Sequence, residues 1–143
     1  KKIEGLGGNM RLGGFDVLLA HGSMMSELCS GAERIRMRFR HRYEVDPQYI
    51  DLLEKHGLVF SGRSPEHPIM QVIELPRDIH PFFMGTQAHP ELTSRPLHPQ
   101  PMFVGLVRAA LQFSGVTPDE VNRDEGVGGM NPSGPLGTTT APA

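Results

Sequence analysis

Phe82-Phe83-Met84-Gly85-Thr86-Gln87-Ala88-His89-Pro90-Glu91 reads as a short apolar strand running straight into a histidine and a carboxylate two residues apart. A nucleophilic thiol needs a base to form its thiolate, and the base needs a third group to hold its ring in one tautomer. His89 and Glu91 at a strand's end have the pattern of that supporting pair. A histidine in such a place is also a common structural residue, so both readings stand on these residues alone. No thiol lies nearby. The chain therefore reads as a fragment that carries base and orienter, with the nucleophile expected upstream of Lys1. The opening Lys1-Lys2, without an initiator methionine, is read the same way.

Working outward, short strands and helices alternate, which predicts an α/β layer architecture. Phe15 to Leu19 is expected as a strand, and Ser23 as the N-cap of a short helix through Met25 and Leu28 to Gly31. Arg34 to Val45 reads as a strand. Asp46 then caps a helix with Pro47 at its first position and Gly57 just past its end. Leu58 to Phe60 and Ile69 to Leu75 are two further strands, able to pair as a hairpin across a turn-rich Ser61 to Pro68. Pro101 starts a helix whose Phe103, Leu106, Val107, Ala110 and Leu111 recur on one face, expected to be the buried one. Residues 1–115 are thus assigned to one domain, and 116–143, rich in Gly, Pro and Thr and without aromatics, to a disordered tail.

Within Arg34-Ile35-Arg36-Met37-Arg38-Phe39-Arg40-His41-Arg42-Tyr43, arginine falls on every second position. On a strand the guanidinium groups share one face, while Ile35, Met37, Phe39, His41 and Tyr43 share the other. Such a face attracts carboxylate or phosphate, or simply keeps a solvated edge strand from aggregating.

Composition narrows the class further. The chain has 143 residues, 38% of them apolar, enough for one modest core. Fourteen basic against 16 acidic residues give no global signal for nucleic acid. One cysteine, Cys29, excludes an internal disulfide framework and fits a reducing compartment. No apolar run approaches the roughly 18 residues of a membrane span, so a soluble, cytoplasmic protein without membrane contact is expected.

Four motifs in register carry a family resemblance: Gly7-Gly8-Asn9-Met10-Arg11-Leu12-Gly13, Arg40-His41-Arg42-Tyr43-Glu44-Val45, Gln87-Ala88-His89-Pro90-Glu91 and Thr93-Ser94-Arg95-Pro96. In order and spacing they resemble the carboxy-terminal part of the CTP synthase family, from about Gly7 to Phe113. The resemblance implies the later half of a class I glutamine amidotransferase domain. Its fold would be a three-layer α/β/α, flavodoxin-like one with a mostly parallel sheet. It also implies roles. His89 would be the general base, Glu91 its orienter, and Arg42 the grip on the glutamine α-carboxylate. Glutamine would be hydrolysed and its ammonia passed to a synthase domain of the same polypeptide. That domain would aminate UTP with ATP and magnesium, cofactors held outside this chain. The family further implies a homo-oligomer, a tetramer, and GTP as a nucleotide effector, whose site the sequence does not give.

The chain departs from the family pattern at Asn9, Phe39, Asp46, Ala88 and Leu92, where Thr, His, Asn and two aromatic residues are usual. Two alternatives follow: a degenerate amidotransferase with a regulatory role, and a non-catalytic anion- or RNA-binding module using the arginine face. Overall negative charge and the lack of interleaved exposed aromatics weigh against the second, so no nucleic acid partner is expected. Cys29 is a poor nucleophile candidate, because Glu27-Leu28-Cys29-Ser30-Gly31 lacks the glycine before the thiol that a sharp elbow needs. The remaining histidines show no zinc-site spacing, and no metal is expected in this chain.

Overall fold

The structure, a computed structural model, describes residues 10–116. The tail expected to be disordered lies, from residue 117 on, outside the described residues. By its internal contacts the chain divides into two units between Ala110 and Leu111, and the sheet and the site belong to the first. Five strands, β1 (Arg11–Leu19), β2 (Arg34–His41), β3 (Val59–Arg63), β4 (Met70–Glu74) and β5 (Met84–Thr86), form one sheet in the order β2-β1-β3-β4-β5. Helices α1 (Met24–Leu28), α2 (Ile50–Lys55) and α3 (Pro101–Ser114) accompany it, with single 3-10 turns at Pro47–Tyr49 and Pro90–Leu92.

All four strand pairings among the described residues are antiparallel, which corrects the expected mostly parallel sheet. A parallel pair needs a crossover, usually a full helix. The β3–β4 and β4–β5 connections contain no helix, and the β1–β2 connection holds only the five residues of α1. The strand order also closes on itself. Beyond β5, Ala88 bridges Phe39 on β2, and the His89 amide donates to the Arg38 carbonyl at 2.8 Å.

Alternation along β2 matches its sequence: Met37 and Phe39 are buried while Arg34, Arg36, Arg38 and Arg40 are exposed. Met37 and Phe39 pack with Val17, Leu19, Met25, Val72, Ala88 and Met102 in one core. Phe39 meets Phe15 and His41 edge-on, at centroid distances of 6.0 and 5.6 Å. β3 crosses this core at Gly62, where a Cβ would stand 2.6 Å from Val72 Cγ2, so only glycine fits. β2 stops at His41, short of the expected Val45, because the chain turns there to carry Glu44 inward. β3 runs longer than expected, taking Ser61, Gly62 and Arg63 from the anticipated turn into the hairpin.

The capping residues act as their types predict. Ser23 Oγ accepts from the Ser26 amide at 3.2 Å, and Asp46 accepts from the Gln48 amide at 3.1 Å. The expected helix after Asp46 opens as a 3-10 turn before becoming α2. A second acceptor serves α1: the buried Glu74 carboxylate takes the Met24 and Met25 amides at 2.8 and 3.2 Å.

Helix α3 buries a different face from the expected one. Met102 and Gly105 point inward, leaving Phe103, Leu106 and Val107 39%, 51% and 57% exposed. Close approach explains the choice. A Cβ on residue 105 would stand 2.7 Å from the Phe82 ring and 2.8 Å from Leu28 Cδ2, so the helix is docked at its glycine rather than its bulkiest side chains.

Candidate active site

The turn holding His89 is built from β5 outward. The Gln87 amide donates to the Gln71 carbonyl at 3.0 Å, continuing the β4–β5 ladder. Thr86 Oγ1 donates to the same carbonyl at 3.1 Å and accepts from the Ala88 amide at 3.0 Å, which bends the chain out of the sheet. Ala88 is buried in the core and Leu92 lies at the surface, so the two positions where aromatics are usual have opposite environments. Pro90, with its fixed φ, starts a 3-10 turn that brings Glu91 back beside His89. Gln100, just ahead of α3, ties this turn down: its amide donates to Ser94 Oγ at 3.2 Å and its Nε2 to Thr93 Oγ1 at 2.8 Å.

His89 Nδ1 lies 2.7 Å from Glu91 Oε1. An ionised carboxylate only accepts, so the proton sits on Nδ1 and leaves Nε2 as the basic nitrogen. Hydrogen bonding from His89 is the main cause that holds the Glu91 carboxyl below its ordinary range, with a smaller electrostatic contribution from the Arg40 guanidinium. The side chains are 31% and 56% exposed, open to a reacting group approaching from outside.

Of the arginine face, Asp16 takes two members, pairing with Arg34 at 3.5 Å and Arg36 at 3.0 Å. Arg38, Arg40 and Arg42 form no ion pair among the described residues, and Arg42 is exposed just past the end of β2. Its neighbour Tyr43 accepts a 3.4 Å hydrogen bond from Gln87 Nε2, so the Arg42 turn and the His89 turn touch. Sequence reading missed two participants. Arg40 was legible only as one of five alternating arginines. The other is Glu44, whose Oε1 accepts from Arg11 Nε at 2.9 Å and faces His41 Nε2 at 3.0 Å. Arg11 sits too far from Glu44 in sequence for any spacing rule to join them.

Cys29 ends α1 and packs against the core, and burial pushes its thiol up, as for an inert cysteine. Among the described residues no cluster of three or more His, Cys, Asp or Glu could hold a metal ion, and no helix is long and apolar enough to cross a membrane.

Residues 1–109 match the family model "Glutamine amidotransferase class-I". The chain is 52% identical over 112 residues to the CTP synthase of Thermobifida fusca, covering 78% of this chain and 20% of that protein. It is 53% identical over 108 residues to the CTP synthase of Saccharopolyspora erythraea, covering 76% and 19%. The chain thus spans about a fifth of the length of these relatives. Among solved structures it resembles the Trypanosoma brucei CTPS glutaminase domain with bound acivicin, with a TM-score of 0.68 and 32% identity over 73% of this chain and 40% of that one. The antiparallel sheet with its helices is therefore consistent with the α/β fold of that domain, and the chain belongs to the class I glutamine amidotransferase family.

Proposed function

We propose that this chain supplies the base and orienter of a thiol-dependent glutaminase, within a CTP synthase whose nucleophilic cysteine lies elsewhere in the polypeptide. The observation that carries the reading is the 2.7 Å His89–Glu91 pair at the end of β5. His89 Nε2 takes the thiol proton as sulfur attacks the side-chain amide carbon of glutamine. The imidazolium, steadied by Glu91, returns that proton to the departing nitrogen when the C–N bond breaks. Water then cleaves the thioester to glutamate, with the same histidine as base. Arg42 holds the α-carboxylate through its paired donors.

The released ammonia would aminate UTP in a synthase domain of the same polypeptide, which would hold ATP and magnesium. Assembly as a homo-tetramer, activation by GTP and a cytoplasmic location belong to the same proposal, on the strength of the relatives' identity. The test supplies the native polypeptide with amide-15N glutamine, UTP, ATP and magnesium. Label should appear in the exocyclic amine of CTP. His89→Ala should lower glutamine-dependent synthesis by about 100-fold or more while synthesis from free ammonia continues. Unchanged glutamine use in that variant would remove His89 from the reaction.

A further inference from the structure

Resting on the glutaminase reading, we infer that Glu44 is a positioning residue that sets the substrate grip of Arg42. Its side chain is 5% exposed, with Arg11 at 14% and His41 at 11%, so the three side chains are largely shielded from solvent beneath the surface turn that carries Arg42. Arg11 Nε donates to Glu44 Oε1 at 2.9 Å, and its guanidinium carbon lies 5.2 Å from the centre of the Phe15 ring. His41 Nε2 stands 3.0 Å from the same oxygen without hydrogen-bond alignment, a close packing contact. Arg11 opens β1, His41 ends β2 opposite it, and Glu44 lies past the turn. Through Arg11 the carboxylate therefore pins the 42–44 segment back onto the start of β1, with His41 at the end of β2 packed against the same oxygen.

That segment has one further tie, Tyr43 O to Gln87 Nε2. Arg42 is thus held from behind by Glu44 and from the side by the segment leading into His89. A guanidinium fork binds a carboxylate well only when both donors are aimed at it. A surface arginine on a free turn would bind glutamine weakly and place its amide carbon loosely relative to His89. Glu44 touches neither substrate nor reacting atoms; it acts through Arg42.

The test uses the full native polypeptide carrying these residues, with glutamine and its α-amide, which lacks the α-carboxylate, as paired substrates. Glu44→Gln should raise KM for glutamine about tenfold, leave kcat within about twofold, and leave hydrolysis of the α-amide unchanged. Should that variant fail to fold, as shown by loss of cooperative unfolding, His41→Gln carries the test and should move KM in the same direction. Equal losses on both substrates, or an unchanged KM for glutamine, would overturn the positioning role while leaving the glutaminase reading intact. A wild-type protein that neither binds nor hydrolyses glutamine would overturn both.

Discussion

Two histidine–glutamate pairs stand on this one sheet. His41 and Glu44 lie 3.0 Å apart with 11% and 5% of their side chains exposed; His89 and Glu91 lie 2.7 Å apart with 31% and 56% exposed. The residue types match, but the physics differs. A buried carboxylate is stable only while its partners remain, and removing one leaves an uncompensated charge in a medium that solvates it poorly. An exposed pair contributes little to folding, because water competes for both groups. For that reason it can gain and lose a proton during a reaction without disturbing the fold. The buried pair is suited to holding shape and the exposed one to chemistry.

The largest effect that would break this contrast is on stability. Glu44→Ala should lower the unfolding free energy by about 3–5 kcal/mol, measured by denaturant titration. Glu91→Ala should lower the Tm only slightly while impairing glutamine hydrolysis. Similar stability losses in the two variants would erase the distinction. A third charged group sharpens it: Asp16, 33% exposed, pairs with Arg34 and Arg36, themselves 59% and 69% exposed. Asp16→Asn should cost no more than about 1 kcal/mol, shrinking further in high salt, and a loss as large as that at Glu44 would show that exposure is not the governing variable.

The smallest effect is a titration. With its pKa lowered in the fold, Glu91 contributes stability above its unfolded value, and that contribution disappears as pH falls through the lower folded value. Carbon-detected NMR should place the Glu91 midpoint below 4.5, the ordinary value for the group, and His89→Ala should move it back toward that value. A midpoint at or above 4.5 in the unmodified protein would mean that the carboxylate is not engaged by the imidazole in solution.

Much of the local structure around the candidate site was legible because its signals are local. Ser23 and Asp46 cap where their types predict, the alternation from Arg34 puts Met37 and Phe39 inside, and His89 with Glu91 meet through a single turn. What escaped is non-local. Glu74 caps α1 from β4, and Glu44 finds Arg11 across the sheet, pairings that no periodicity encodes. The face of α3 was misread for a related reason. A hydrophobic stripe says which side chains favour burial, whereas Phe82 and Leu28 decide how near the helix can come, and Gly105 alone lets it come that near. Strand direction escaped as well, since a family-level expectation of parallel strands does not specify the pairing within this stretch.

The bridge between Phe39 and Ala88, with His89 anchored to the Arg38 carbonyl, carries a kinetic consequence. The β1–β2 ribbon and the β3–β4 hairpin can each zip from their own turns, but this bridge forms only after every strand between has found its neighbour. Non-local closures of this kind come late and slowly. His89 is therefore delivered to its place at the end of folding, so its amide protection should lag behind that of β1 in a refolding pulse-labelling experiment.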